Sequence, residues 1–332
     1  MKTLKTLAYP IAAGMVFTSA SGCRAATFAE SLNDGTVTVR VVDDTDVPLE
    51  GVQAIMYSLS DEGTSKLGLT DTNGMYSVQL RKIYAEIDGH FTKTGYYKSN
   101  GVFWKWDKWG GVPPASTNFT IVMKRIVEPV QMREIEVNVK FPRLDAPVGF
   151  DLEAGDWVSP HGKGKIADIF LTGKGYYNSP NEYAFNMFAE FPNEHDGIQS
   201  FHVPSLPDAP TQLLRSELPP PPIAPESGYE KTFERFTKRI PADRWSGTTS
   251  RDDTRRWIFR VRTKVEENGN IVSANYGWMT KDIVGASNEG KGRFALTYYY
   301  NPDPKSRSLE PKEIADRQAK DMPKEIPKEG GK

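Results

Sequence analysis

The chain has a single cysteine, four histidines and no excess of either charge across 332 residues. Each shortage closes off a class of explanation. One cysteine, Cys23, permits no disulfide within the chain, so stability has to come from packed cores. Forty-two basic residues stand against 43 acidic ones. That near-balance does not supply the concentrated basic surface on which nucleic-acid binding rests. After the first 22 residues, no apolar run approaches the roughly 18 residues that a membrane-crossing helix requires, so none is predicted.

What the chain has in quantity is 24 prolines and 28 glycines, with few long amphipathic stretches. This composition predicts a mainly β fold of strands and turns, and the length suggests two domains. The first residues have a different layout. Lys2 and Lys5 precede an apolar run from Leu7 to Phe17, which gives way to Ser19-Ala20-Ser21-Gly22-Cys23. A charged start, a short apolar middle and a small-residue exit form the plan of a secretory signal, predicted here over residues 1–22.

Cys23 directly after Ala20-Ser21-Gly22 resembles a bacterial lipobox. The resemblance implies a lipidated Cys23 as first residue of an exported, membrane-anchored lipoprotein, since more than one acyl chain anchors stably. Arg24 stands where an inner-membrane retention signal would favour Asp, which points to the outer membrane. The alternative is an ordinary secretory signal cut near Ala20, Gly22 or Ala25. Without residues 1–22 the chain keeps 40 basic and 43 acidic residues, a net charge of −3.

The first domain is predicted over 34–127. Val37, Val39 and Val41 alternate with polar residues in the period of a half-buried strand. Pro48-Leu49-Glu50-Gly51-Val52 leads into a second strand, and Asn73-Gly74 offers the positive φ angles of a tight hairpin. These pieces, with Thr70-Asp71-Thr72-Asn73-Gly74 and Lys93-Thr94-Gly95-Tyr96-Tyr97 in the same order, resemble the carboxypeptidase regulatory-like domain. That resemblance implies a transthyretin-like antiparallel β-sandwich serving as a non-catalytic folding or interaction module. The zinc carboxypeptidase itself needs His-x-x-Glu, and none of His90, His161, His195 and His202 has Glu three residues later. Asp71-Thr72-Asn73-Gly74 also reads as a fragment of a calcium loop, but the further oxygen ligands and closing Glu are missing, which favours a plain turn.

Phe103-Trp104-Lys105-Trp106-Asp107-Lys108-Trp109 holds three of the seven tryptophans. On a strand, Trp104 and Trp106 would share a face. Such a segment serves either as core and inter-domain contact or as a stacking platform for a sugar ring or a partner; Trp104, Trp106 and Trp109 are the candidate ligand-binding residues.

A second β-rich domain of unassigned type is predicted over 130–302. Ile135, Val137, Val139 and Phe141 mark one strand, and Trp257 to Trp278 reads as a hairpin turning at Glu267-Asn268-Gly269-Asn270. Between them, Leu218 to Pro225 should be extended and outside any sheet. Tyr229–Ile240 is ambiguous between strand and helix. Asp151, Glu153, Asp156, His161 and Asp168 concentrate in one glycine-rich stretch, which offers either turn caps or the paired carboxylates of a hydrolase. Arg260, Arg262 and Lys264 alternate with apolar residues and read as a solvated outer face, or less readily as an anion site.

Gly285 to Gly292 nearly matches a phosphate loop. Gly292 stands where Ser or Thr must reach magnesium, and a strand pattern follows where a helix is needed. Glu194-His195-Asp196 with His202 lacks a familiar metal spacing. The segment 303–332, rich in Lys, Glu, Asp and Pro, is predicted to be a charged disordered tail apart from a short helix near Lys312–Lys320. These observations give a mainly β cell-envelope protein with a non-catalytic binding or assembly role, no cofactor or metal, and a polysaccharide or envelope protein as partner. A membrane-tethered hydrolase and a purely structural envelope protein are the alternatives.

Overall fold

The computed structural model describes residues 33–58, 65–83, 86–105, 116–203, 205–206, 209–240, 247–288 and 291–321. The predicted signal segment, Cys23, Trp106 and Trp109 lie outside these residues. The fold is nearly all β, with one short helix among the described residues. Its first seven strands are β1 (Asn33–Asp43), β2 (Gln53–Ser58), β3 (Lys66–Leu69), β4 (Met75–Ile83), β5 (Glu86–Thr92), β6 (Ser99–Lys105) and β7 (Ser116–Met123). β1 pairs antiparallel with β4 and parallel with β7, and the second sheet runs β6-β5-β2-β3. Val37, Val39 and Val41 point inward against Met56, Ile87 and Phe91. Each such side chain gains about 1.5–3 kcal/mol on burial.

The Asp71–Gly74 turn forms, but it does not make a hairpin. It carries the chain from β3 in one sheet to β4 in the other. Asp71 Oδ1 accepts the amides of Asn73 (2.9 Å) and Met75 (2.8 Å), and Gly74 adopts φ 72°. A Cβ on Gly74 would stand 2.3 Å from the Val41 carbonyl oxygen, so the corner admits no side chain there.

The remaining elements are β8 (Arg133–Lys140), β9 (Val148–Asp151), β10 (Asp156–Trp157), β11 (Ile169–Ser179), β12 (Glu182–Glu190), β13 (Gly197–His202), β14 (Ser205–Leu206), β15 (Ala209–Ser216), β16 (Thr232–Arg239), β17 (Gly247–Thr249), β18 (Arg255–Val265), β19 (Ile271–Met279), β20 (Val284–Asn288), β21 (Lys291–Tyr300) and α1 (Lys312–Asp321). One sheet runs β10-β9-β11-β12-β16-β17 and its partner β13-β18-β19-β21-β20, with β8 also on β21. Phe150, Phe185, Phe259 and Tyr298 fill the space between them. The ambiguous segment 229–240 resolves as strand β16.

Two assignments change. First, the stretch 205–216 belongs to the first sandwich and not the second: β15 pairs with β6 through Leu214–Gly101, Arg215–Asn100 and Ser216–Ser99. This covers a strand edge that would otherwise offer unpaired backbone groups. Second, the tail predicted as disordered over 303–332 apart from a short helix near Lys312–Lys320 is packed as far as residue 321, with that helix formed as α1. Leu309 and Glu310 have no exposure, and Ile314 and Ala315 are buried.

The tail's composition misleads because the few apolar residues it has meet a surface already built. Ile258, Tyr276, Trp278 and Tyr299 form the outer face of β18-β19-β21, and Leu309, Ile314 and Ala315 close over it together with Tyr97 of the first sandwich. Trp278 Nε1 donates to the Leu309 carbonyl at 3.0 Å. The proline segment lies outside any strand, bends at Leu218, Pro220 and Pro222 instead of running straight, and joins this layer by an isolated bridge from Ile223 to Ser308.

Candidate functional site

The richest chemistry in the sequence, Asp151 to Asp168, folds into a closed ionic cluster. Asp151 Oδ1 accepts the amides of Glu153 (2.9 Å) and Ala154 (3.0 Å), and its Oδ2 those of Lys165 (2.9 Å) and Ile166 (3.2 Å). Asp168 accepts the Leu152 amide at 2.9 Å. Across from both, the Arg262 guanidinium donates to Asp151 (2.7 Å), to both oxygens of Asp168 (2.9 and 3.0 Å) and to Glu153.

Alternation along β18 would send Arg262 outward, as expected for a solvated row. A bulge after Val261 and a left-handed φ of 57° at Arg262 turn it instead toward the facing sheet. Asp196 holds that bulge by accepting the amides of Arg262 (2.8 Å) and Thr263 (2.9 Å). Burial would raise the Asp151 carboxyl, but the amides of Lys165, Ala154 and Ile166 with Arg262 hold it below the usual range. Burial dominates at Asp168 and pushes its carboxyl up, against the pull of Arg262. For Arg262, the paired carboxylates outweigh the cost of burial and raise its pKa.

This cluster staples loops together. A glycosidase-like mechanism requires two carboxylates with free oxygens facing a substrate, whereas the oxygens of Asp151 and Asp168 are taken up by amides and the Arg262 guanidinium, and Glu153 bridges Arg262 and Arg133. Asp156 caps its own loop through the amides of Trp157 (2.8 Å) and Lys163 (2.9 Å), and His161 is exposed. Arg260 also departs from the solvated row. It is buried over the Tyr229 ring at 4.5 Å and donates to the carbonyls of His195 and Glu226. Of that row, only Lys264 is exposed.

Among the described residues, no three His, Cys, Asp or Glu side chains gather at metal distance. Asp196 is committed to the bulge, and His202 Nδ1 faces Thr254 Oγ1 at 3.1 Å. The phosphate-loop look-alike is the β20–β21 hairpin, where Gly285 and Gly292 lie against Phe185. Trp104 stands on β6 opposite Ile87.

A site the sequence did not suggest lies between the sandwiches. Asn100, Ile121 and Val122 approach Phe201 and Val203 around a cleft of about 440 Å³, closed by Pro219 and Pro221. Asp44, Lys124 and His202 supply its charged and titratable groups. Lys124 Nζ donates to the carbonyls of Pro219 and Pro220, the latter at 2.8 Å. Burial lowers this amine to about 8, with Asp44 pulling the other way. Lys124 gives no local signal, because the proline carbonyls that receive it lie 95 and 96 residues away.

No family model matches the chain, and no curated protein matches it. Among solved structures, a 3-chlorocatechol 1,2-dioxygenase from Rhodococcus opacus 1CP is 14% identical over 29% of this chain and 61% of its own, with a TM-score of 0.24. A streptococcal ancillary pilin is 13% identical over 66% of this chain and 59% of its own, at a TM-score of 0.20. A DUF3823 family protein from Parabacteroides merdae is 5% identical over 82% and 97%, at 0.20. The chain spans about three-fifths of the length of the dioxygenases it matches. At these scores the likenesses carry no argument about what this chain binds or does.

Proposed function

We propose that this protein is an exported, lipid-anchored component of the cell envelope with a non-catalytic binding or assembly role. The observation that carries the reading is the contrast between its two polar constellations. The buried carboxylates of Asp151 and Asp168 are taken up by Arg262 and backbone amides. The inter-sandwich cleft, by contrast, has a mainly apolar lining with a few polar groups, the usual make-up of a recognition site. In this reading Cys23 bears the lipid and the outer membrane is the anchor. Residues 34–127 act as the carboxypeptidase regulatory-like interaction module, and the cleft receives a short apolar segment of an envelope protein. Trp104, Trp106 and Trp109 add stacking contacts.

The test is photo-crosslinking in intact cells from a benzoylphenylalanine placed at Val122, combined with fractionation of a Cys23→Ser variant. A discrete protein adduct from position 122, and release of Cys23→Ser from the membrane fraction, are expected. Membrane retention of the serine variant overturns the anchor, and an adduct-free position 122 overturns the cleft.

A further inference from the structure

The outer face of the sheet β11-β12-β16 carries large aromatic rings that the core does not use. Phe188 and Phe236 are 44% and 42% exposed. Register makes their arrangement specific. Phe188 of β12 lies opposite Glu234 of β16, and Asn186 of β12 opposite Phe236. The four residues form a square with the two rings on one diagonal. The other diagonal is a hydrogen bond from Asn186 Nδ2 to Glu234 Oε1 at 2.7 Å. On β11, Phe170 pairs with Glu190 and continues the aromatic diagonal by one more step. Diagonal neighbours on a sheet are about 7–8 Å apart, so the three rings form an oblique row across three strands.

The occupant follows from this chequered pattern. A protein interface concentrates its apolar residues in a contiguous centre depleted of Lys and Glu. Here the exposed rings of Phe188 and Phe236 are flanked by the Asn186 amide and the Glu234 carboxylate, and the half-buried Phe170 is parted from Phe188 by Glu190 and Thr172. The complement of such a surface has apolar flat faces and polar edges in alternation, which is the chemistry of a chain of sugar rings. The axial C–H faces would stack on the aromatics, and the hydroxyls would meet the Asn186 amide and Glu234 carboxylate. Lys174 and Lys238 on the same face stand against Glu182, Glu190 and Glu234, so no concentrated field of one sign selects a charged chain. We infer that the outer face of β11-β12-β16 binds a neutral polysaccharide along the Phe170–Phe188–Phe236 diagonal.

This site is separate from the inter-sandwich cleft, and its test is independent of it. The whole protein is run in affinity gels containing xylan, soluble starch, laminarin or hydroxyethylcellulose. Saturable retardation by at least one gel is expected. Phe188→Ala and Phe236→Ala should each weaken it about tenfold, and Asn186→Ala several-fold, with unfolding midpoints unchanged because all three side chains are exposed. Phe236→Trp should retain binding, which separates stacking from folding. The inference is overturned if no gel retards the protein. It is also overturned if the alanine variants bind as tightly as the parent, or if Trp104→Ala alone abolishes retardation. Crosslinking from Val122 is unaffected by any of these results, so the cleft stands or falls separately.

Discussion

Replacing Arg262 by Met removes the guanidinium that joins Asp151, Glu153 and Asp168 while keeping much of the side chain's apolar volume. The Asp151 and Asp168 side chains are 5% and 1% exposed, so both are left without a counter-charge at the mouth of the core. Glu153, 43% exposed, can turn to water and adds little. Breaking a buried pair from one side costs about 3–5 kcal/mol. With a urea slope of about 3 kcal/mol/M, that cost lowers the unfolding midpoint by roughly 1–1.7 M. Urea titrations followed by tryptophan fluorescence at pH 7 measure it.

The pH dependence identifies the cause. In the parent, the Asp151 pKa is depressed below its unfolded value. Its contribution is therefore present above that unfolded value and fades only as pH falls through the lower folded one. In Arg262→Met the Asp168 carboxyl, already raised by burial, loses the guanidinium that opposed the rise and moves further above its unfolded value, whereas Asp151 keeps the amides of Lys165, Ala154 and Ile166. The variant then suffers most at neutral pH and recovers as the Asp168 carboxyl protonates, so the gap between parent and variant narrows toward pH 4. A loss under about 1 kcal/mol at pH 7 would refute the reasoning, as would a loss that stays constant from pH 7 to pH 4.

Two further predictions concern the seam. Leu309→Ala should cost about 2–5 kcal/mol and speed hydrogen exchange at the amides of Lys98, Val127 and Glu128, which Gln318 and Glu310 receive; unchanged exchange would mean the tail is not part of the folded unit. The Lys124 amine should titrate near 8 by nitrogen NMR, and because its folded pKa is lowered from 10.5, stability should rise as pH climbs between those values; a titration near 10.5 would show that the amine is solvated.

The parts of this fold that were legible in the sequence are those fixed by neighbouring residues. Val37, Val39 and Val41 alternate and become the inner face of β1; Gly269 at φ 84° turns the β18–β19 hairpin where Asn268-Gly269 announces it. Features that depend on distant segments were not legible. The parallel pairing of β1 with β7 joins strands about eighty residues apart, from Thr36–Ser116 to Asp43–Met123. Arg262 follows the alternation that marks an outward residue, and only the bulge, pinned by Asp196, reverses it. The tail's own apolar content predicts disorder, whereas its order depends on Trp278, Tyr276 and Tyr299 already being in place. In the candidate sites, Phe188 and Phe236 belong to separate strands, and only the β12–β16 register makes them a pair.

Glu310 argues that the two sandwiches are held as one body. Its carboxylate has no exposure and accepts the amides of Val127 and Glu128, on the connector between the sandwiches. Its backbone carbonyl receives the Val130 amide at 2.9 Å, and Val127 and Glu128 reach the tail through it. A buried carboxylate is tolerable only while those donors remain, because exposing the seam to a hinge motion would strand a charge in a half-dry site. Lys124 makes a second such tie, from the end of the first sandwich to the proline carbonyls. Two charged groups at one seam, each satisfied only when the sandwiches are docked, oppose sliding as well as opening. The cleft walls, drawn from both sandwiches, are therefore held in place, and the binding proposed there would incur little of the ordering cost that a flexible two-domain hinge would impose.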